Sequence, residues 1–407
     1  GGAIAKPETV ESGKTVSDYG EDEIARKISV HASLSHVTVK NDKINFIDTP
    51  GSSDFVGEVI LALRACESAL VLVDGRSGVQ IETIKLWRNL ESRSRPRAIF
   101  VSRLDEERSS FEKSLADIHE KFKIAPVAIT IPMGEAAGLK GVVDILNQVA
   151  YTAPASHDQK ETSGPVPADM AAAVAEYRAK LFEAAAEGDD ELMEKYLGEG
   201  ELSQEETLKG LMEAFAEGRI VPAFAGSGAK NIGTSALLDF IAVIAPSPLK
   251  AKPHKATDSE HKDIEVAVDP SKPTSAFIIK TQIDQFSGRL SYTKVITGAL
   301  APDMEVTNVR DSRKEKLGKL YTSQGKKLEE AGTLAAGDIG VIVKAADFKT
   351  NDTISVMDKP FAFAKLMLPT PVHMLAISAA NKKEEDKLNE SLFKAAEEDL
   401  TFQVHFN

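Results

Sequence analysis

Between residues 37 and 248, short and nearly continuous apolar runs alternate with longer amphipathic stretches, and this rhythm constrains the fold more than any other feature of the chain. The runs fall at 37–40, 44–47, 69–73, 98–101, 127–131 and 220–224, with helical periodicity over 55–67, 81–92 and 110–121. Strands that are apolar on both sides need cover on both faces, and the intervening helices supply it. The alternation therefore predicts an α/β fold built on a parallel sheet. Ligands of such sheets bind beyond the carboxyl ends of the strands. Asp48, Asp74 and residues 102–105 fall just past those ends.

The rhythm is interrupted and then replaced. Residues 154–167 are polar and rich in breakers, and they open an insertion with helices expected over 168–188 and 203–218. The second of these starts on a capping box, Ser203 to Glu206, and stops at Gly218. Pro246, Ser247, Pro248 and the segment 250–255 then read as a linker. After Pro273 the pattern becomes period-two, with strands expected at 276–282, 290–297, 304–308, 316–322 and 340–344. Gly288, Gly298, Gly332 and Gly337 punctuate them, as in a small antiparallel barrel. From Val372 a strand to Ser378, a helix over 382–399 and a strand over 402–406 outline an incomplete domain, so truncation at the C-terminus is expected.

Composition excludes several classes. A chain of 407 residues is too long for one core. Its single cysteine, Cys66, cannot form an intramolecular disulfide, which suits a reducing, cytoplasmic setting. No apolar run approaches the roughly 18 residues of a membrane span, and the opening segment is too polar for a signal peptide. The net charge of −13 argues against holding nucleic acid by bulk attraction. The densest basic run, residues 310–327, reads as the solvated face of a hairpin.

Two strand tips carry recognisable chemistry. Residues 44–51 form an apolar strand that delivers Asp48-Thr49-Pro50-Gly51. In nucleotide switches an aspartate of this kind holds Mg2+, usually through water, and the glycine lets a backbone N–H approach the γ-phosphate. A strand ending in a tight turn would produce the same pattern, so its weight comes from company. Ser102-Arg103-Leu104-Asp105 follows the strand 98–101, where a guanine-reading Asn-Lys-x-Asp would sit. An aspartate there accepts from both N1–H and the exocyclic amine of guanine, and adenine offers the wrong pattern. With Ser102 and Arg103 replacing asparagine and lysine, guanine preference is expected in weakened form.

Asp48 to Phe55, the run from Gly75 to Trp87, and Gly226-Ser227-Gly228 before a helix resemble the G domain of bacterial elongation factor G. The insertion resembles that family's G′ subdomain, and residues 286–290 and 336–339 resemble its barrel motifs. The helix within 382–402 resembles the first helix of its third domain. The resemblance implies a G domain of the P-loop NTPase type with a helical G′ insertion, an antiparallel β-barrel and a partial ferredoxin-like α+β domain. It implies an N-terminally incomplete G domain over 1–248 with the insertion at about 154–218, a linker over 249–272, a barrel over 273–358, and the third domain from 359 to 407. It also implies GTP/GDP and Mg2+ as cofactors, the ribosome as partner, and a monomer. On the same basis Asp48 and Gly51 map to the phosphate and magnesium switch, and Ser102, Arg103 and Asp105 to the base site. Ser227 and Gly228 map to a loop whose backbone meets the guanine oxygen. Ser29 aligns with a magnesium-ligating threonine, although an ordinary surface serine is the competing reading.

The departures matter equally. The family places a water-orienting histidine after Asp-x-x-Gly, and here that position is Ser52. Losing such an imidazole removes about 100-fold in rate, on the order of 3 kcal/mol. No Gly-x-x-x-x-Gly-Lys-Ser/Thr loop is found: Ser12-Gly13-Lys14-Thr15 looks like its tail, but no glycine stands at Glu8 and no apolar strand precedes it. The true loop is expected upstream of Gly1. His31 and His36 read as ordinary histidines. Three readings stand: a ribosome-coupled GTPase of divergent type, a degenerate guanine-nucleotide-binding factor, and a ribosomal-protection or release-type relative. All rest on Asp48 and Asp105 projecting into one shared cleft.

Overall fold

The structure, a computed structural model, describes residues 8–156, 159–284, 287–345, 347–382 and 384–405. These fall into two compact units, one holding residues 38–44 and 67–246, the other residues 8–37, 45–66 and those from 247 onward.

In chain order, helix α1 (Glu21–Arg26) precedes strands β1 (Ser33–Val39) and β2 (Asp42–Asp48). These two strands make a sheet of their own, joined by Lys40 and Asn41, both with positive φ. Two successive left-handed residues form the tight turn that favours a local hairpin. Here the sequence-based expectation fails, because β2 does not enter the parallel sheet. Helix α2 (Val56–Ala65) follows the tip of β2.

The parallel sheet contains β3 (Ala69–Asp74), β4 (Arg97–Ser102), β5 (Pro126–Ala128) and β10 (Val221–Ala225) in the order β3-β4-β10-β5. Its helices are α3 (Ile81–Ser92) and α4 (Phe111–Phe122), the latter capped by Ser110, whose hydroxyl accepts from the Lys113 amide. Asp74 lies level with Ser102, and Val101 with Ala225, so three carboxyl ends open on one rim.

The chain between β5 and β10 is richer than its helical reading. It begins with a four-stranded antiparallel sheet of β6 (Thr130–Met133), β7 (Gly141–Asp144), β8 (Val149–Thr152) and β9 (Thr162–Pro165). The expected single strand at 127–131 is thus two, β5 and β6, belonging to different sheets. Helices α5 (Ala171–Ala186), α6 (Asp190–Glu199) and α7 (Gln204–Glu217) follow. The Ser203 capping box forms as expected, and Gly218 ends α7 at φ 77°. Helix α8 (Thr234–Val243) completes the unit.

The other unit is dominated by an eight-stranded antiparallel sheet. Its central strands, β13 (Ser275–Asp284) and β14 (Gly288–Thr297), bury both faces. Ala276, Ile278, Val295, Leu320 and Ile342 fill one core, while Phe277, Ile279, Tyr292 and Val341 pack in another with Ala256 and Phe363. The expected linker contributes β11 (His254–Thr257) and β12 (Asp263–Val266), which pair with each other. The strand expected at 316–322 is split at Leu317-Gly318-Lys319: Arg313–Lys316 pairs with Glu305–Asn308, and Leu320–Gln324 pairs with Lys327–Ala331. Phe286, the first residue of one barrel motif, lies outside the described residues.

In the last domain, the described residues form a two-residue strand, Ala362–Phe363, which pairs with β11, and helix α9 (Glu385–Glu398). Residues 372–378 and the described part of 402–406 are not strands. A lone strand without a neighbour leaves its backbone donors and acceptors unpaired, and Val372 and Met374 are correspondingly 100% and 85% exposed.

Candidate nucleotide-binding site

On the rim of the parallel sheet, the loop 102–105 leaves β4 through Arg103 at φ 58°. The Leu104 amide donates to the Gly226 carbonyl at 3.2 Å, and the Gly226 amide to Val101 at 3.0 Å, which lashes this loop to the one after β10. The Asp105 side chain is 13% exposed, with the Lys230 ammonium 3.7 Å away. Arg103 turns aside, placing its guanidinium 3.0 Å from Asp74. Burial alone would raise the Asp74 carboxyl, but the Arg76 and Ser77 amides and Arg103 hold it below the usual carboxylate range.

Residues 227–232 close a narrow loop. The Ser227 amide donates to Ile232 at 3.0 Å, the Ile232 amide returns to Ser227 at 2.9 Å, and the Ser227 hydroxyl accepts from the Lys230 amide. Ser227 is fully buried, whereas Gly228 is exposed with nothing within 4 Å of a Cβ built there. Ser227 therefore shapes the turn, and the backbone at Gly228 is left open to solvent. Behind it, the Glu161 carboxylate accepts from the amides of Gly233 at 2.7 Å and Ser235 at 2.8 Å.

Asp48 belongs to the other compact unit. Its side chain reaches the surface at the end of β2, yet protein crowds it, and that desolvation raises its carboxyl above the usual range. Asp18 and Glu23 push the same way, against hydrogen bonds from the Ser17 hydroxyl and the Thr49 amide. Asp18 is 6% exposed, and its Oδ1 has no hydrogen-bond partner. Glu23 is 1% exposed and accepts from the amides of Gly20, Val30 and His31. Gly51 has open space around it, and the Ser52 hydroxyl accepts from the Asp54 amide at 3.4 Å, opening the turn into α2.

The elongation factor Tu GTP binding domain family matches residues 1–247, elongation factor G domain 2 matches 273–357, and elongation factor G domain III matches 368–407. The chain belongs to the elongation factor G family. Elongation factor G of Ureaplasma urealyticum serovar 10 is 31% identical over 395 residues, 97% of this chain and 57% of that protein. Elongation factor G of Ureaplasma parvum serovar 3 matches to the same extent. A crystal structure from Thermus thermophilus superposes with a TM-score of 0.86 at 27% identity, covering 99% of this chain and 58% of that one. The chain thus spans a little over half the length of these relatives.

Set against the family, the site residues fall into two groups. Ser102, Arg103, Asp105, Ser227 and Gly228 share one rim, while Asp48, Gly51 and Ser52 share a separate loop in the other unit. The two carboxylates expected to share a cleft, Asp48 and Asp105, therefore stand in different compact units. The local hairpin turn draws β2 to β1, and α2 is held to β13 by the Glu58–Lys280 ion pair at 2.7 Å. Ser29 lies in the same unit as Asp48, but the groups acting most strongly on Asp48 are Ser17, Asp18, Thr49 and Glu23.

Sequence reasoning missed Asp18, Lys230 and Glu161. Lys230 stands next to the Gly-Ser-Gly turn, and Asp18 lies within the segment 13–19 that resembles the family's first switch, so both carried a sequence signal. His31 contacts Asp22 at 3.3 Å and His36 the Ser323 carbonyl at 3.2 Å, and no cluster of three metal-ligating side chains occurs among the described residues. None of the described helices is long and apolar enough to cross a membrane.

Proposed function

We propose that this chain is the nucleotide-binding part of an elongation factor G-like GTPase, a cytoplasmic monomer whose GTP hydrolysis is coupled to ribosome binding or translocation. Family membership along 97% of the chain carries the reading. The rim of the parallel sheet supports it, since a shielded carboxylate, Asp105, stands beside an open backbone loop at Gly228. Asp105 accepts from guanine N1–H and its exocyclic amine, and amides from Gly228 onward meet the guanine oxygen. Adenine leaves those buried polar groups unpaired, which is the stronger kind of discrimination. Lys230 lies 3.7 Å from Asp105, and Arg103, tied to Asp74, fixes the loop rather than touching the base.

The residues around Asp48 fit a hard divalent cation. Asp48 is unfavourably ionised where it stands, and Asp18 aims an unsatisfied oxygen within a buried setting. Asp48 and Asp18 would hold Mg2+, with Ser29 a further hydroxyl on the same segment; the ion supplies positive charge to the phosphates. Gly51 leaves room for a backbone N–H to approach the γ-phosphate.

A second reading is favoured by Ser52. Its hydroxyl caps the turn into α2 and has no imidazole to orient water, so the alternative is a ribosome-associated factor that holds guanine nucleotide without effective hydrolysis. Titration calorimetry with GDP and ADP tests the shared part of both readings: GDP is expected to bind at least about tenfold tighter, and equal affinities would overturn it. Phosphate release in the presence of ribosomes then separates the two, since GDP binding without stimulated release leaves only the second.

A further inference from the structure

The loop that carries Ser227 and Gly228 is anchored from outside its own element. Helix α8 begins at Gly233, φ 83°, and a Cβ there would stand 2.3 Å from the Ala225 carbonyl. The position therefore demands glycine, and α8 starts without a capping side chain of its own. Glu161, the residue before β9, fills that role from 72 positions away. One carboxylate oxygen accepts from the Gly233 amide at 2.7 Å; the other accepts from the Ser235 amide at 2.8 Å and from the Thr234 hydroxyl at 3.4 Å. The Thr234 hydroxyl also lies 2.7 Å from the Asn231 Oδ1, so its one proton is shared between that oxygen and Glu161. Glu161 is 9% exposed, so these charge-assisted bonds are shielded from water.

The frame continues to the base-reading rim without a break. Ile232, next to Gly233, exchanges two backbone bonds with Ser227; Gly226 accepts from Leu104; Asp105 follows. We propose that Glu161 is a positioning residue for guanine recognition, setting where the Gly228 backbone stands relative to Asp105. The insertion would then govern nucleotide selectivity through one carboxylate, with no contact to the nucleotide. This rests on the nucleotide-binding reading given above.

The test uses the ligand's oxygen, which the loop reads, separately from its exocyclic amine, which Asp105 reads. GDP, 6-thio-GDP and IDP are titrated into the wild type and into Glu161→Gln, with melting temperatures recorded. Sulfur is a weaker acceptor than oxygen, so the wild type should prefer GDP over 6-thio-GDP. In E161Q, GDP binding should weaken about tenfold, the preference over 6-thio-GDP should fall toward one, and the preference over IDP should persist. A general loosening would weaken all three alike, so an unchanged GDP to 6-thio-GDP ratio overturns the proposal. Thr234→Val, a milder cut in the same anchor, should shift that ratio in the same direction if E161Q does not fold. A wild type that fails to distinguish GDP from ADP removes the nucleotide reading and this inference together; a wild type that does, with an unmoved variant ratio, removes only the inference.

Discussion

Asp48 is costly to ionise where it stands, and this makes a stability prediction with a definite sign. Its folded-state pKa lies above the ordinary aspartate value, so the folded chain binds more protons than the unfolded one across that window. Stability therefore falls as pH rises through it. Asp48→Asn should melt at higher temperature than wild type at pH 7, with the advantage shrinking as pH drops toward the unfolded-state aspartate value. Thermal scans across pH check this, and a lower melting temperature at pH 7 would contradict it. Millimolar Mg2+ should raise the wild-type melting temperature and leave both Asp48→Asn and Asp18→Asn nearly unmoved. At the other rim, Asp105→Asn replaces an acceptor with a group that can donate, so xanthosine diphosphate should gain on GDP by about tenfold or more, as competition binding would read.

Among the elements, α2 shows how a short helix is held by polar contacts. Glu58 accepts from the Ala32 amide at 2.7 Å and pairs with Lys280 at 2.7 Å, both side chains at or below 10% exposure. Further along the helix, Arg64 lies 4.2 Å over the Phe277 ring and donates to Asn351, and burial lowers its pKa to about 10. Breaking a buried pair from one side strands the other charge, so Lys280→Met should cost about 3 to 5 kcal/mol. Adding Glu58→Gln should recover most of that, as denaturant titration of the single and double variants would show; equal losses in both would refute the pairing account. None of this was legible in sequence. Helices such as α3, α4 and α7 were, because their amphipathic period, the Ser203 capping box and Gly218 are all local signals. Lys280 and Glu58 stand 222 positions apart, and nothing in either neighbourhood announces the other.

Across the whole molecule the same distinction holds. The strands at 69–73, 98–101 and 220–224 could be read from periodicity, whereas the placement of β2 could not, because its apolar pattern suits a hairpin as well as a central strand. The basic run at 310–327 is the other feature whose meaning emerges only in three dimensions. Its strands include Arg313–Lys316 and Lys327–Ala331, the two edges of the eight-stranded sheet. Lys314 pairs with Glu305, Lys316 with Asp303, Lys319 with Glu330, Lys327 with Glu329 and Arg313 with Asp347. Charged side chains along exposed edges discourage pairing with another chain, and carboxylates beside them cancel the field a polyanion would feel. With a net charge of −13 on the whole chain, homopolymeric RNA should show no measurable binding at about 0.15 M salt, and any weak binding at low salt should have a shallow salt dependence. A steep dependence, equivalent to displacing about five or more counterions, would mean that these lysines exchange their carboxylates for phosphates, and the run would then be an RNA-facing surface rather than a guarded edge.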